Sequence, residues 1–254
     1  MAADLLVIND GPTRTLVLNR PAKRNALTNA MLDALLAELT AAQGDDSVQT
    51  IVLAGAGSGF CGGRDRNEID GAASRSVKMQ DGSVDLREST FMQLLTLLIE
   101  SPKPTVASVK GVARAGGQAI TLACDFVVAE RGCVFGNPEM QAGFPAAMNT
   151  VLLARHLGRR KALEIAISGA AFTTEDYLPL GLINRVAEPG TLERVTAEFV
   201  ATLNQLAPWA IRRTKEVFRI AEDSDMRGLL YAGNQLNHLL IINGQIAPLF
   251  RDKA

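Results

Sequence analysis

Three stretches of the sequence carry residues that could do chemistry. Residues 55–63 (GAGSGFCGG) hold five glycines in nine positions, and residues 111–117 (GVARAGG) interrupt the chain between a predicted strand and a predicted helix. Glycine lets a ligand approach backbone N–H groups closely, and a helix N-terminus adds unpaired N–H groups and a positive dipole. Such donors can stabilise a carbonyl oxygen that gains negative charge. The third stretch, residues 135–139 (FGNPE), places the carboxylate of Glu139 directly after a short strand.

Each of these stretches also has a simpler interpretation. The pattern Gly57-x-Gly-x-x-Gly62 matches a dinucleotide-binding fingerprint, but the residues that follow it have no buried helical face, which disfavours a nicotinamide cofactor. A tight loop whose glycines permit positive φ stays open as an alternative. Glu139 has an ordinary explanation as an acidic residue in the first turn of a helix, with Asn137 as N-cap and Pro138 at the first helical position.

The histidines and cysteines exclude several other classes of site. The chain has two histidines and three cysteines, and the cysteines are odd in number and unpatterned. They fit neither a disulfide framework nor the clustered spacing of a zinc site, so we expect no metal. A Ser-His-Asp hydrolase is disfavoured too, because His156 lies in a run typical of a packed helix.

Predicted strands and helices alternate in the first part of the sequence, and the remainder is predicted to be mainly helical. We predict strands at 14–19, 50–54, 105–109, 126–129 and 134–135, and helices from Thr28 to Gly44, over 86–100 and over 117–123. Residues 66–85 have no apolar period and predict a surface loop. From Asn149 we predict helices at 149–157, 159–167, 174–179, 191–206, 208–221 and 225–241, with one strand near 182–186. The pattern indicates an α/β core that carries a helical appendage.

Composition and charge limit the classes of molecule that we expect this protein to bind. The 254 residues include 26 Lys and Arg against 27 Asp and Glu, a net charge of −1, which offers no electrostatic case for nucleic acid or an anionic membrane. No apolar run approaches the roughly 20 residues that span a bilayer, and the N-terminus lacks a basic signal region. We therefore expect a cytoplasmic protein whose basic ligand-binding groups, if any, are local.

Several ordered motifs together resemble the enoyl-CoA hydratase/isomerase (crotonase) family. They are residues 19–27 (NRPAKRNAL), 51–55 (IVLAG), 59–65 (GFCGGRD), 104–111 (PTVASVKG), 116–117 (GG), 124–125 (CD), 135–139 (FGNPE) and 181–186 (GLINRV), with a weaker match at 243–250 (NGQIAPLF). The resemblance covers essentially the whole chain, and motifs in this order are far more specific than the glycine pattern alone.

The resemblance implies a fold, an assembly and a substrate class. The fold would be a spiral of ββα units over residues 1–195, followed by a helical oligomerisation region over 196–254. The C-terminal helices would build a homotrimer or a dimer of trimers. The substrate would be an acyl-CoA thioester, with no cofactor beyond the CoA that the substrate itself carries.

The resemblance also implies roles for individual residues. Two backbone N–H groups, those of Arg64 and Gly116, would hold the thioester oxygen. The side chain of Arg64 is unusual at its position and could meet a substrate carboxylate, a CoA phosphate or solvent. The CoA-binding residues would be Lys23, Arg24, Ala26, Gly62, Arg64, Asp65 and Gly116.

Acid–base chemistry would rest on one carboxylate. The family's hydratases carry two glutamates; one position matches Glu139, but the other falls on Ala119. Hydration needs a positioned water as well as a proton donor, whereas moving a double bond needs one base that takes a proton from the α-carbon and returns it at the γ-carbon. We therefore favour isomerisation with Glu139 as the single acid/base, although Gln118 could hold a water. Hydration that uses a second polar group, or a catalytically quiet protein that binds CoA esters, stays open.

Overall fold

A computed structural model describes residues 3–65, 67–68 and 90–223. Nearly all of the loop expected at 66–85 lies outside the described residues. The helix expected over 225–241 and the family-like segment at 243–250 lie outside them as well.

The larger sheet has six strands in the order β1-β2-β3-β4-β6-β9. Strands β1 and β2 form an antiparallel hairpin, and every later neighbour pairs in parallel. Their bounds are β1 Leu5–Asp10, β2 Thr13–Leu18, β3 Thr50–Gly55, β4 Thr105–Val109, β6 Phe126–Glu130 and β9 Arg185–Ala187.

A second, smaller sheet has the order β5-β7-β8. Strand β5 covers Val112–Arg114, β7 covers Val134–Gly136 and β8 covers Phe172–Thr173. Strands β5 and β7 are parallel, and β7 and β8 are antiparallel. The chain thus moves repeatedly from the larger sheet to the smaller one and back, which is the ββα spiral that the resemblance implied.

Helices connect and cover the sheets. They are α1 Asn29–Gly44, α2 Thr90–Ile99, α3 Gly116–Ala123, α4 Ala147–His156, α5 Arg159–Ile167, α6 Thr174–Tyr177, α7 Leu192–Asn204 and α8 Pro208–Asp223. Thr28 caps α1 as predicted, because its side-chain oxygen accepts a hydrogen bond from Met31 N–H at 3.1 Å.

The central parallel strands β3 and β4 of the larger sheet are buried on both faces. Ile51 and Leu53 of β3 belong to the main core, whereas Val52 between them packs into a second cluster with Leu192 and Val200 of α7. Alternate residues of one strand therefore serve two cores. This explains why β3 reads as a continuous apolar run in the sequence.

Most sequence-based elements are confirmed within a few residues, and three strands were missed. Strand β1 is an edge strand whose residues are mostly exposed, so its burial pattern is weak. Strand β5 lies between glycines, in a segment whose sequence predicts a turn, and β8 has only two residues. All three depend on pairing with distant partners, which local periodicity does not report.

The chain divides after Gln205 into two compact units. The first contains both sheets and helices α1 to α7, and the second contains α8. The boundary expected at 195/196 falls inside α7. Among the described residues, no helix is long and apolar enough to cross a membrane.

Asn25 ties two loops that approach the candidate site. It is fully buried at a positive φ of 53°, and its Nδ2 lies 2.9, 2.8 and 3.1 Å from the carbonyl oxygens of Ala56, Gly59 and Phe60. Its Oδ1 accepts a hydrogen bond from Arg20 N–H. One side chain therefore joins residues 20–25 to the first glycine-rich loop.

We expect Asn25→Ala to lower the free energy of unfolding by about 2–4 kcal/mol, because it leaves several buried backbone groups unpaired. Urea denaturation measures this. The control is Asn9→Ala, which removes an exposed amide that accepts only from Arg14 and should change stability by less than about 0.5 kcal/mol. Equal effects of the two substitutions would contradict the role of Asn25.

Candidate active site

Parallel pairing brings residues 55–63, 111–117 and 135–139 to one edge of the smaller sheet. Strand β5 pairs with β7 so that Arg114 lies opposite Gly136, and on its other side Ala113 forms a parallel bridge with Cys61. Parallel segments end at the same edge of a sheet. The residues that follow each segment therefore meet: Arg64 after Cys61, Gly116 after β5, and Glu139 after β7.

Close packing of α3 against the first glycine-rich loop holds this edge together. A Cβ added at Gly117 would overlap the carbonyl of Cys61, so only glycine allows the helix to approach so closely. Arg114 N–H also donates to that carbonyl at 3.0 Å. The N-terminus of α3 is thus packed directly against the loop that carries Arg64.

The structure brings the two predicted oxyanion donors together. A Cβ added at Gly116 would lie 3.6 Å from Arg64 N, and one added at Gly63 would lie 3.2 Å from Gly116 N. Within the described part of the chain, neither N–H has a hydrogen-bond acceptor. Two adjacent free donors at a helix N-terminus form a site for a carbonyl oxygen that gains negative charge.

An unusual backbone turn precedes Gly116. Ala115 has φ 51° and ψ −120°, a conformation that costs a non-glycine residue about 1–3 kcal/mol. Its N–H donates to Gly136 O at 2.9 Å, and its carbonyl accepts from Asn149 Nδ2 at 2.9 Å. Both backbone groups of Ala115 are therefore held, which fixes the direction of the next N–H, that of Gly116.

Glu139 lies in a short 3-10 helix, Pro138–Ala142, that follows β7. Burial is the main influence on its carboxyl and raises its pKa. The Glu139 backbone N–H, the Arg114 guanidinium and the Asn149 amide act in the opposite direction. Its Oε2 is buried without a hydrogen-bond partner among the described residues. This oxygen is therefore available to a bound molecule.

Arg114 and Asn149 are site residues that the sequence analysis missed. Arg114 Nε and Asn149 Oδ1 are also buried without a partner in the described part of the structure. Arg114 stands two residues before Gly116, so its position in the motif could have singled it out. Asn149 comes from α4, at a distance in sequence that no local pattern links to the site.

The side chain of Arg64 turns toward the start of α1 rather than into open solvent. Its Nη2 donates to Asn29 Oδ1 at 2.7 Å, while its Nη1 is buried without a partner in the described ranges. Burial lowers the pKa of this guanidinium, partly offset by Glu68 and Asp65. A substrate carboxylate or a CoA phosphate as its partner stays a prediction.

The expected CoA-binding residues lie on one stretch of surface beside the first glycine-rich loop. Lys23 and Arg24 are exposed, and Arg24 has a left-handed φ of 51°. The Arg24 carbonyl accepts from Gly62 N–H at 2.8 Å. Arg20 Nη1 donates to the Ala26 carbonyl at 2.7 Å and to Asp65 Oδ2 at 2.9 Å, and the latter contact lowers the Asp65 pKa.

Two expectations about side chains in this region are wrong. Gln118 is fully buried, accepting from Tyr177 Oη–H at 2.8 Å and donating to Asn137 Oδ1 at 3.1 Å, so its side chain is engaged in the core and does not hold a water. Asn137 does not cap the following helix with its side chain; it donates to Ile165 O instead. Ala119 is buried, with 1% of its surface exposed.

The backbone of Cys61 helps to build this site, but the cysteine thiols are not suited to its chemistry. All three are buried and form no disulfide, and burial raises the pKa of Cys61 to about 12 and that of Cys133 to about 11. A thiol that stays protonated at neutral pH is a poor nucleophile. These side chains therefore serve packing.

Comparisons with known proteins agree with this geometry. The enoyl-CoA hydratase/isomerase family model matches residues 14–241. The 2,3-dehydroadipyl-CoA hydratase of Escherichia coli is 31% identical over 239 residues, covering 94% of this chain and 90% of that protein. A crystal structure of an enoyl-CoA hydratase from Mycobacterium smegmatis is 28% identical with a TM-score of 0.83, covering 98% and 96% of the two chains. One from Polaromonas is 27% identical with a TM-score of 0.84, covering 93% and 91%. The chain belongs to the enoyl-CoA hydratase/isomerase family and is an enzyme of that family that acts on CoA esters.

Proposed function

We propose that this enzyme moves the double bond of an enoyl-CoA thioester, with Glu139 as its single acid/base. The observation that carries this is the arrangement of two free N–H donors, at Arg64 and Gly116, beside a partly buried carboxyl without a partner for Oε2. The position of the family's other glutamate holds Ala119. One base and one oxyanion site are sufficient for proton transfer between carbons.

In this reaction the thioester oxygen accepts hydrogen bonds from Arg64 N–H and Gly116 N–H. The Glu139 carboxylate removes a proton from the α-carbon of a 3-enoyl-CoA, and the C–H electron pair moves into a dienolate whose negative charge rests on that oxygen. The same carboxyl then returns the proton at the γ-carbon, which leaves the 2-enoyl isomer. No cofactor is needed.

We propose that CoA lies along the surface formed by Lys23, Arg24 and Ala26, with Gly62 and Asp65 lining the same path. Exposed Lys and Arg side chains can pair with phosphate groups. The Ala26 carbonyl is already engaged by Arg20, so backbone contacts to the adenine would use its remaining acceptor capacity.

Hydration is the second candidate. The relatives in these comparisons are named hydratases, and the E. coli relative acts on 2,3-dehydroadipyl-CoA by its name. Water addition would use the same oxyanion site and Glu139, together with a second polar group that holds the water.

We also propose that the protein works as a homotrimer or a dimer of trimers, with residues 196–254 as the oligomerisation region. Support comes from exposed apolar side chains on α8, including Phe218 and Ile220. Light scattering at micromolar concentration should give three or six times the mass of one chain, and a monomer would contradict the proposal.

The main test is Glu139→Gln, which keeps the shape of the side chain but removes the base. We expect kcat for 3-enoyl-CoA to fall by about 100- to 10,000-fold, because general acid–base catalysis contributes that much. The control is Glu198→Gln, which alters an exposed glutamate paired with Arg194 and should leave kcat unchanged. Full turnover by the Glu139 variant would overturn the proposal.

Exchange of the α-proton with deuterium oxide separates an enzyme from a catalytically quiet binder. The wild type should exchange this proton in a saturated acyl-CoA, since enolate formation does not require a double bond. A wild type that binds the thioester without exchange would identify a quiet family member.

Glu139→Gln should also change the pH dependence of stability. Because burial raises the Glu139 pKa above 4.5, the folded state holds its proton more tightly than the unfolded state does. The Glu139 carboxyl therefore lowers the free energy of unfolding of the wild type progressively as pH rises above 4.5. Urea unfolding from pH 4 to pH 8 should show the variant gaining stability relative to the wild type as pH rises; a constant difference would contradict this.

A further inference from the structure

Three buried polar atoms without partners belong to Glu139 and to two side chains of the adjoining segments. They are Arg114 Nε, which is a donor, and Glu139 Oε2 and Asn149 Oδ1, which are acceptors. Only two more such atoms, Gln49 Oε1 and Arg64 Nη1, occur in the described part of the chain. Buried polar groups are nearly always hydrogen-bonded, because an unpaired one has lost its hydrogen bonds to water without replacement. Their concentration here indicates a ligand position.

The three side chains come from adjoining segments. Arg114 pairs with the last residue of β7, and Glu139 lies in the 3-10 helix that follows β7. The Arg114 guanidinium and the Asn149 amide both lower the Glu139 pKa, against the larger effect of burial. Asn149 is fixed in place because its Nδ2 donates to the carbonyl of Ala115 at 2.9 Å. Arg114 ends β5 and directly precedes Ala115 and Gly116. The group of unpaired atoms therefore lies beside the position of the thioester oxygen.

One hydrogen-bond donor and two acceptors determine which groups can bind to these atoms. A water molecule accepts one hydrogen bond from Arg114 Nε–H and donates two, to Glu139 Oε2 and Asn149 Oδ1. A carboxylate would supply no donor to the two acceptors, and an alkyl group would satisfy none of the three. Water therefore fits the set, whereas a β-hydroxyl group satisfies Arg114 Nε–H and only one of the two acceptors.

We propose that Arg114, with Asn149, positions a water on Glu139 and so gives this enzyme hydratase activity without the family's second glutamate. This inference rests on the proposed function, since it uses the same CoA thioester, the same oxyanion donors and the same acid/base. Arg114 is a positioning residue, because a guanidinium offers hydrogen-bond donors and no acceptor, so the base is Glu139.

The step balances with one carboxylate. Glu139 takes a proton from the water while the water oxygen bonds to the β-carbon of a 2-enoyl-CoA. The π electrons move to the thioester oxygen, held by the N–H groups of Arg64 and Gly116. Glu139 then delivers its proton to the α-carbon, giving a 3-hydroxyacyl-CoA. In the reverse direction Glu139 returns the proton to the departing oxygen, which leaves as water held by Arg114 Nε–H.

The test compares hydration with isomerisation in Arg114→Met, both measured by chromatography of CoA esters. We expect the ratio of the two kcat values, hydration over isomerisation, to fall about 10- to 100-fold, the effect of losing a charged hydrogen bond. KM for 2-enoyl-CoA should change little, and Arg114→Lys should restore part of the ratio. Arg194→Met removes a surface guanidinium and serves as the control.

A pH profile separates the effect of Arg114 on water positioning from its effect on the Glu139 pKa. Loss of the Arg114 charge raises the Glu139 pKa and shifts the acid limb of both reactions, so the ratio is taken on the pH plateau. A ratio that Arg114→Met leaves unchanged, or a wild type that isomerises but adds no water, would overturn the inference alone. A Glu139→Gln variant that keeps both reactions would overturn the proposed function instead.

Discussion

The site depends on parallel pairing of the three-residue strand β5 on both of its sides. One neighbour is β7 and the other is the loop at Cys61, so three segments end at one edge. Gly117 permits this because its missing Cβ leaves room for the Cys61 carbonyl. Any side chain there would push α3 away from the loop, and the N–H groups of Arg64 and Gly116 would separate.

The chemistry proposed for this edge uses backbone donors and one carboxyl. Backbone N–H groups need no titratable side chain and keep their direction because Ala115 is hydrogen-bonded through both its N–H and its carbonyl. The cost is a strained turn at Ala115 and an incompletely paired carboxyl at Glu139. Strain and unpaired polar groups concentrated at one place are expected where a protein binds and activates a ligand.

In the proposed mechanism, Arg114 replaces a polar group that the family's hydratases place on another element, while the fold is retained. The position of the second family glutamate is occupied by the buried Ala119, and the neighbouring Gln118 is engaged with Tyr177 and Asn137. The unpaired polar atoms come instead from β5 and α4. A different residue can thus hold a substrate atom from another direction, while the oxyanion donors stay with the backbone.

The sequence by itself determined the family, the strand and helix order over most of the chain, and the candidate residues Arg64, Gly116 and Glu139, because these depend on ordered motifs and local periodicity. It missed β1, β5 and β8, which exist only through pairing with distant segments. Tertiary structure alone decided that Asn149 reaches Glu139, that Gln118 faces the core and that Arg64 contacts Asn29. Side-chain direction and burial arise from contacts between segments far apart in sequence, which no local pattern records.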